Sequence, residues 1–283
     1  MRLQALQRQI IKELQAKDIT TAALDARLLI GHAFGLTQEG VLREAERVLI
    51  PSEHDAIRAL LLRRLAREPM AYILGYREFW GMALTVTPDV LIPRPDSEML
   101  VEAVCRHRPD RQGIKRILDI GTGSGCLLLA LLKEYPEANG VGLDRSAAAL
   151  AVACENGERL GFRTRVRWLE SHWCDALGND GIFDLIVSNP PYISTEEMES
   201  LQPDVREYEP EAALHGGEDG LDPYRVILPQ IQQRLEKGGL CVVEIGSTQA
   251  DAVHNIGEAC GLHYHETAKD LAGFDRCVVF SQE

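Results

Sequence analysis

Apolar side chains recur at helical spacing over the first part of the chain. On the first predicted helix, residues 1–17, one face carries Leu3, Leu6, Ile10 and Leu14. A second helix is predicted from about Thr20 to Ala33, with Gly35 as its stop and with three inward side chains, Leu24, Leu28 and Leu29. Short amphipathic helices bury such faces against one another, so residues 1–72 are expected to form a helical bundle.

Two further helices complete the predicted bundle. A short one follows Thr37, and the last begins with Ser52 as its N-cap and ends before Pro69. This last helix carries Arg58, Arg63, Arg64 and Arg67. We favour a solvated face for these arginines, and a docking surface for an acidic partner is the alternative.

Residues 73–95 change to a strand-like pattern. Two glycines, at 75 and 81, and the alternating apolar positions around them predict a β-hairpin linker. The following Pro93-Arg94-Pro95 is expected to be extended, because each proline restricts both itself and the residue before it. Asp96 is then expected to cap a helix that begins near Ser97.

From Lys115 onward, short apolar runs alternate with helical segments. The predicted strands are 116–120, 140–143, 165–169, 183–187 and 240–245, followed by two closing strands near 264–266 and 276–280. Such a succession of βα units implies a doubly wound sheet with helices on both faces. We therefore expect an α/β fold, with a seven-stranded Rossmann-like domain over residues 96–283.

The turn after the first strand of this domain is rich in glycine and runs Gly121-Thr122-Gly123-Ser124-Gly125. Glycine lets the backbone approach a ligand closely, and the amino terminus of the next helix favours a carboxylate or phosphate. A dinucleotide fingerprint needs its third glycine three places after the second; here the gap is two, which disfavours a dehydrogenase. Asp144 ends the second strand, where an acid can hold two ribose hydroxyls; the alternative role is a helix cap.

The fourth strand ends in the loop Ser188-Asn189-Pro190-Pro191-Tyr192. Two prolines cannot continue a strand ladder, so a stiff loop leaves the sheet at Asn189. The Asn189 side chain and the Pro190 carbonyl each offer an oxygen acceptor to a planar NH2 group, and Tyr192 offers a flat wall for stacking. This set suits a neutral amide or amino nitrogen that must be aimed at an electrophile, whereas the alternative is a proline-rich turn with a capping Asn.

Charge and cysteine content narrow the classes of function. The formal net charge is −13; residues 1–72 carry 11 basic and 9 acidic side chains, and the remainder carries 19 and 34. An acidic main domain argues against tight binding of nucleic acid, although the first domain can still reach a ribonucleoprotein partner.

Seven scattered cysteines without a CxxC pair indicate reduced thiols in a cytosol and no metal site. The amino terminus opens an amphipathic segment rather than a signal peptide, and no apolar run reaches membrane-spanning length.

Three longer motifs extend beyond the turn and the loop. They are Glu68-Pro69-Met70-Ala71-Tyr72-Ile73-Leu74-Gly75, Leu91-Ile92-Pro93-Arg94-Pro95-Asp96-Ser97-Glu98, and Glu209-Pro210-Glu211-Ala212-Ala213-Leu214-His215-Gly216-Gly217-Glu218-Asp219-Gly220-Leu221. With the Gly121–Gly125 turn, Asp144 and the Asn189–Tyr192 loop, they resemble the release-factor glutamine methyltransferase family, often called PrmC or HemK. The resemblance covers nearly the whole chain; Ser97 stands where that family often has Thr.

The resemblance implies a class I methyltransferase that uses S-adenosyl-L-methionine, releases S-adenosyl-L-homocysteine and needs no metal. It implies that Gly121, Thr122, Gly123, Ser124, Gly125, Asp144, Trp173 and Asn189 contact the cofactor, Trp173 on its adenine side. Asn189, Pro190, Pro191 and Tyr192 would form the substrate loop, with Asn189 and Pro190 as the catalytic pair. The implied substrate is the glutamine of the Gly-Gly-Gln motif in class 1 peptide chain release factors, recognised by the front domain. A cytoplasmic enzyme that modulates translation termination, without direct DNA binding or a membrane partner, is expected.

Three other interpretations are open to test. An adenine or cytosine amino methyltransferase predicts a target-recognition domain, base flipping and a basic surface, none of which is evident in the sequence. A non-catalytic module that keeps the fold is disfavoured by the intact Asn189–Tyr192 loop. A dehydrogenase is disfavoured by the glycine spacing.

Overall fold

The computed structural model describes residues 1–178 and 181–283. Its helices, in chain order, are α1 (Leu3–Gln15), α2 (Ala22–Phe34), α3 (Gln38–Arg43), α4 (Pro51–Leu65), α5 (Met70–Leu74), α6 (Glu98–His107), α7 (Cys126–Glu134), α8 (Ala147–Arg159), α9 (Thr195–Ser200), α10 (Pro203–Arg206), α11 (Asp222–Arg234) and α12 (Ala250–Ala259). Its strands are β1 (Tyr76–Phe79), β2 (Met82–Thr85), β3 (Arg116–Ile120), β4 (Asn139–Asp144), β5 (Val166–Glu170), β6 (Phe183–Ser188), β7 (Leu235–Glu244), β8 (His263–Lys269) and β9 (Asp275–Ser281). Single 3-10 turns lie at Pro95–Ser97, Asp175–Leu177 and Glu211–Ala213.

Packing divides the described chain into two compact units. The smaller consists of Met1–Gly75 together with Pro203–Tyr208, and the larger of Tyr76–Gln202 together with Glu209–Glu283. The boundaries at residues 72/73 and 95/96 remain our prediction for the domain organisation. Over the described residues, no helix is both long and apolar enough to span a membrane.

The smaller unit is built from α1 to α5 and α10. The predicted inward face of α1 is confirmed, because its four apolar side chains are all buried. Helix α2 ends at Gly35, whose φ of +64° gives the left-handed C-cap that glycine favours. The inward placement of Leu24 was wrong: the residue is 43% exposed, and its neighbour Asp25 is buried instead.

Helix α4 begins at Pro51, and the prediction that Ser52 caps it was wrong. Ile50 occupies the N-cap position, and its amide donates to Glu53 Oε2 at 3.1 Å. Proline fits the first helical position because that residue has no intrahelical partner for an N–H group.

Arg64 on α4 is buried, so the prediction of a solvated face was wrong for this residue. Its Nε donates to Asp25 Oδ2 at 2.8 Å, and its Nη1 donates to Asp204 Oδ2 at 2.6 Å. The neighbouring Arg58 and Arg63 also form ion pairs within the smaller unit. Arg64 is therefore committed to two carboxylates of its own chain.

The larger unit contains a mixed sheet of seven described strands in the order β5-β4-β3-β6-β7-β9-β8. Strands β3 to β7 run parallel to one another, and β9 runs antiparallel to both β7 and β8. Side chains alternate across the sheet: Ile117 packs with α6 and α7 on one face, whereas Leu118 packs with α11 and α12 on the other. The predicted seven-stranded, doubly wound sheet is confirmed.

Strands β1 and β2 form the predicted hairpin, which packs onto the first of these faces through Phe79 and Leu84. The backbone of Thr85 exchanges two hydrogen bonds with the side-chain amide of Asn156 on α8, at 2.7 and 3.0 Å. The hairpin is thereby fixed to a helix of the larger unit.

The prediction that Asp96 caps the next helix was wrong. Helix α6 begins at Glu98, after the 3-10 turn, and Asp96 makes no side-chain cap. The Asp96 carboxylate instead lies 3.4 Å from Arg276 Nη2. The two prolines that flank Arg94 set the backbone here, so the chain enters the helix through a tighter turn.

Candidate active site

A large cavity lies where β3, β4 and β6 end. Strand β3 is central, with β4 on one side and β6 on the other, so the chain reverses its direction of winding at this point. Ligands of doubly wound sheets bind in the crevice outside the carboxyl ends of the strands at such a switch point. The cavity has a volume of about 840 Å³, enough for a nucleoside-sized ligand.

The glycine-rich turn forms one wall of this cavity. Gly121, Gly123 and Gly125 all have positive φ, between +54° and +82°, which side chains with a Cβ rarely adopt. At Gly125 there is also little room, since a Cβ would lie 3.0 Å from the Trp168 ring. The sequence therefore folds the turn tightly between β3 and α7, with Thr122 and Ser124 at the cavity wall.

Asp119, inside β3, supports this turn from below. Its Oδ2 accepts from the Thr122 hydroxyl at 2.6 Å, while the whole side chain is buried. Burial, aided by the nearby charge of Asp144 and opposed by the Thr122 hydrogen bond, raises the pKa of Asp119 to about 7. The sequence analysis missed this residue, although a carboxylate within an apolar strand is itself a signal.

Asp144 lines the cavity at the end of β4, opposite the glycine-rich turn. Its Oδ2 accepts from the Gly123 amide at 2.9 Å, and its Oδ1 accepts from the Ser146 amide at 2.9 Å. The Ser146 side chain caps helix α8, so the alternative prediction, that Asp144 is the helix cap, is wrong. Each carboxylate oxygen can accept a further hydrogen bond from a ligand hydroxyl.

Asn189 lies directly after β6 and faces the same cavity. Its Nδ2 donates to the Ser97 hydroxyl oxygen at 3.2 Å. A Cβ on Gly121 would lie 3.9 Å from the Asn189 carbonyl oxygen, so the glycine-rich turn and the Asn-Pro-Pro-Tyr loop run side by side. The glycine-rich turn and Asn189 therefore line one cavity.

The other residues of the loop, from Pro190 to Tyr192, differ in whether they face the cavity or the hydrophobic core. Pro191 lines the cavity, and Pro190 is buried behind it. The Tyr192 side chain packs against the hydrophobic core below the sheet end, and its hydroxyl donates to Glu244 Oε1 at 3.4 Å. Burial, with the nearby Glu244 charge, raises the pKa of Tyr192 above its usual value. The predicted stacking role of Tyr192 stays a prediction.

The Glu209–Leu221 motif folds against this loop. Ile193 and His215 form a parallel bridge, and the Gly216 amide donates to the Ile193 carbonyl at 2.8 Å. A Cβ at Gly216 would meet the Pro191 carbonyl oxygen at 2.8 Å, so only glycine lets the two segments approach this closely. The motif thus fixes the loop from outside.

The Leu91–Glu98 motif meets the same region. Arg94 Nη2 lies 2.6 Å from Glu209 Oε1, and the Ile92 amide donates to Glu209 Oε2 at 3.1 Å. Glu98 accepts from the Trp80 amide at 2.7 Å and so supports the hairpin. Two motifs that are more than 100 residues apart in sequence therefore meet at one carboxylate.

Trp173 lines the cavity from the loop after β5. Its φ is +50°, a left-handed conformation that is strained for a bulky residue. Strain of this kind persists where the surrounding structure imposes it, and ligand sites are a common place for it. The assignment of Trp173 to the adenine side stays a prediction.

The residues around the cavity suit S-adenosylmethionine. The Asp144 oxygens suit ribose hydroxyls, and the positive-φ glycines leave room for a ligand against the turn. Ser124, Asp144 and Trp173 line the same continuous space as Asn189. No group of three or more His, Cys, Asp or Glu side chains placed to hold a metal ion is found in the described ranges.

The fold and the cavity define a class I methyltransferase. Residues 5–75 match the sequence model of the PrmC N-terminal domain, and residues 95–203 match that of the methyltransferase small domain. A release factor glutamine methyltransferase of Geobacter sulfurreducens is 46% identical over 265 residues, which cover 94% of this chain and 91% of that protein. One of Rhodospirillum rubrum is 46% identical over 255 residues, covering 90% and 77% of the two chains. The chain belongs to the release factor glutamine methyltransferase family.

Among solved structures, a methyltransferase from Pyrococcus furiosus shares the fold. Its TM-score is 0.54 at 18% identity, with 79% of this chain and 96% of that chain covered. The family assigned from the sequence motifs is confirmed, and with it the class of enzyme.

Proposed function

We propose that this enzyme transfers a methyl group from S-adenosylmethionine to the side-chain amide nitrogen of glutamine in the Gly-Gly-Gln motif of class 1 release factors. The observation that carries the proposal is the Asn189 amide, whose Nδ2 bonds to Ser97 at 3.2 Å and leaves Oδ1 as an acceptor at the cavity wall. The names of the relatives support a glutamine of a release factor as the substrate. Methylation of this glutamine would modulate translation termination in the cytoplasm.

S-adenosylmethionine supplies an electrophilic methyl group when it is bound. We assign its ribose to Asp144, its carboxylate end to the Gly121–Gly125 turn and its adenine side to Trp173. Asn189 Oδ1 and the Pro190 carbonyl then accept hydrogen bonds from the glutamine NH2 group. Pro191 and Tyr192 complete the substrate loop.

The chemical difficulty is that an amide nitrogen is a poor nucleophile, because its lone pair is delocalised into the carbonyl group. Two fixed acceptors turn the NH2 group so that the remaining lone-pair direction points at the electrophile, and positioning of this kind can contribute roughly 7–11 kcal/mol. The same acceptors stabilise the positive charge that grows on nitrogen as the new N–C bond forms. One proton then leaves for water, and S-adenosylhomocysteine is released.

The test is methyl transfer from labelled S-adenosylmethionine to three acceptors: a purified class 1 release factor, its Gln→Ala variant in the Gly-Gly-Gln motif, and plain DNA. We expect label on the unmodified release factor alone. Label on DNA with none on the release factor would overturn the proposal. It would indicate instead that the Asn189–Tyr192 loop binds a flipped base.

We further propose that the smaller unit recognises the release factor. The match of residues 5–75 to the PrmC N-terminal domain supports that role. Transfer to an isolated Gly-Gly-Gln peptide, compared with the full release factor, tests it: recognition by the smaller unit predicts a much higher KM for the peptide at similar kcat. Equal KM values would contradict it.

A further inference from the structure

The β8–β9 turn, residues 270–274, exposes two large apolar side chains. Leu271 is fully exposed, more than any other large apolar residue in the described chain, and Phe274 is 55% exposed. A single exposed leucine is ordinary on a protein surface. Two large apolar side chains on one turn form a patch, and exposed apolar patches mark interaction sites.

Hydrogen bonds hold the β8–β9 turn in one conformation. Asp270 Oδ1 accepts from the amides of Ala272 at 2.9 Å and of Phe274 at 3.0 Å, and the Asp270 amide donates to the Phe274 carbonyl at 2.8 Å. Gly273 has a φ of +87°, which glycine adopts without strain. Leu271 and Phe274 are thus presented by a fixed backbone, and a preorganised surface loses less entropy when a partner binds.

Sheet topology places this turn at the same edge as the active-site cavity. Strand β9 is antiparallel to β7, and Glu244 at the end of β7 pairs with Cys277 near the start of β9. The β8–β9 turn therefore lies beyond the carboxyl end of β7. The other neighbour of β7 is β6, whose carboxyl end leads directly into Asn189.

A short series of contacts connects the turn with the cavity wall. Arg276 Nε donates to Asp270 Oδ2 at 2.7 Å, and Arg276 Nη2 lies 3.4 Å from Asp96 Oδ2. The next residue, Ser97, lines the cavity and accepts from Asn189 Nδ2 at 3.2 Å. The turn is therefore a close neighbour of the cavity wall to which Asn189 belongs.

We propose that Leu271 and Phe274 form a docking surface for the release factor and contact an apolar patch beside its Gly-Gly-Gln motif. The proposal rests on the proposed function for the identity of the partner. A glutamine that reaches Asn189 brings the surface of its own protein to this edge of the sheet. Neither side chain has a group that forms hydrogen bonds, so an apolar patch is the surface that complements them. The proposal goes beyond the proposed function because it assigns part of partner recognition to the larger unit.

The test replaces the two apolar side chains with serine, singly and together. The double variant, Leu271→Ser with Phe274→Ser, should raise the KM for the full release factor at least about tenfold, and each single variant should raise it less. The kcat and the Kd for S-adenosylmethionine should stay within about twofold, because both residues lie outside the cavity lining. A KM within about twofold of that of the unmodified enzyme would overturn the proposal.

A short Gly-Gly-Gln peptide separates docking from damage to the cavity. The peptide lacks the surface that the turn would contact, so its KM and kcat should be the same for the double variant and the unmodified enzyme. Unchanged turnover of the peptide also shows that the variant is folded. An equal rise of KM for the peptide and for the release factor would mean that the substitutions distort the cavity, and it would contradict the proposal.

Ile182 provides a matched control within the larger unit. It is 40% exposed and directly precedes β6, at the amino end of that strand and thus at the edge of the sheet opposite the cavity. Ile182→Ser also removes exposed apolar surface and should leave the KM for the release factor within about twofold. A rise of KM as large as that of Leu271→Ser would assign the effect to a general loss of apolar surface and contradict the proposal.

A second copy of the chain is the alternative occupant of such an apolar patch. Sedimentation of the unmodified protein and of the double variant distinguishes the two occupants, and we expect the same oligomeric state for both proteins. A dimer that forms only with Leu271 and Phe274 in place would assign the turn to a contact between copies and overturn the proposal.

Binding without methyl transfer keeps this proposal separate from the proposed function. Isothermal titration calorimetry with a release factor that carries the Gln→Ala substitution, in the absence of S-adenosylmethionine, measures docking alone. The double variant should bind this release factor at least about tenfold more weakly than the unmodified enzyme does. Equal Kd values would overturn the docking surface even in an enzyme that methylates release factors. Weaker binding by the double variant of a protein that transfers no methyl group to the release factor would support the docking surface and refute the proposed function.

Discussion

The amide of Gly123 donates to the carboxylate of Asp144 at 2.9 Å and so links the glycine-rich turn to the end of the neighbouring strand. The bond orients one carboxylate oxygen, while the Ser146 amide orients the other. Asp144 is therefore held rigidly before any ligand arrives, and a preorganised acceptor loses less entropy on binding.

We expect Asp144→Asn to weaken the binding of S-adenosylmethionine by about 10- to 100-fold, because it would remove the charge-assisted bonds that we propose to the ribose and would turn one acceptor into a donor. Isothermal titration calorimetry measures the change. Glu170 offers a matched control, since it pairs with Asp144 in register on β5 but is exposed. Glu170→Gln should bind the cofactor normally; an equal loss in both variants would assign the effect to general electrostatics.

Asn189→Ala should lower the rate of methyl transfer by about 10²–10³-fold, the range typical for the removal of one preorganised polar partner of a transition state. The binding of S-adenosylmethionine should change much less, because the residues that we propose for the ribose and the adenine, Asp144 and Trp173, are on other loops. Single-turnover kinetics and calorimetry separate the two quantities. An equal loss of rate and of cofactor affinity would contradict the role assigned to Asn189.

Glu244 should make stability depend on pH. Burial, which Ser97, Arg276 and Tyr192 oppose only in part, raises its pKa from 4.5 to about 7, with Asp96 adding to the rise. The folded state thus holds a proton that the unfolded state has lost, so this contribution to stability is full below pH 4.5 and is lost as the pH rises through 7. Tyr224 and Cys277 lie near the Glu244 carboxyl group. Both stay neutral between pH 4.5 and 8, because burial raises the pKa of each.

Glu244→Gln should accordingly raise the free energy of unfolding at pH 8 by on the order of 2–3 kcal/mol relative to the unmodified protein. The gain should vanish near pH 4.5. Urea unfolding at a series of pH values measures it. Asp119 also has a raised pKa, so the slope that remains in Glu244→Gln reports on Asp119, and Asp119→Asn should remove it. A stability difference that is constant between pH 4.5 and 8 would contradict the assignment.

Arg64→Ala should destabilise the smaller unit by about 3–5 kcal/mol, because it leaves the carboxylates of Asp25 and Asp204 without their shared cation. Arg58 on the same helix serves as the control. Its ion pair with Glu13 is partly exposed to solvent, so Arg58→Ala should cost less than about 1 kcal/mol. Denaturant unfolding of the full chain compares the two, and equal costs would mean that burial of Arg64 contributes nothing.

Local pattern was sufficient to predict the strands of the sheet and the segments that surround the cavity. The apolar run before Asn189 predicts a strand, and the glycine spacing after Ile120 predicts a tight turn. Each pattern is complete within a few residues. The partners of Glu244 and Glu209 lie more than 50 and more than 100 residues away, so no window along the sequence reveals them. The motif that contains Ser97 was recognised from the family, but the contact between Ser97 and Asn189 required the structure.

The errors at helix ends have a similar origin. Ser52 and Asp96 both have the chemistry of an N-cap, and each lies next to a proline that moves the first turn. Leu24 follows the helical pattern, yet the inward position is taken by Asp25, because Arg64 lies 39 residues further on and neutralises it. A charge pair formed over that separation overrides local hydrophobicity.

The inclusion of Pro203–Tyr208 in the smaller unit bears on how such proteins can be recombined. The unit is not one continuous stretch, since Asp204 binds Arg64 and the Tyr208 hydroxyl donates to the Ala66 carbonyl at 2.5 Å. An exchange of residues 1–75 between two relatives would therefore combine an arginine from one parent with an aspartate from the other. Chimeras that carry both segments from the same parent preserve the pairing between Arg64 and Asp204. Residues 1–75 and 203–208 should therefore be exchanged together.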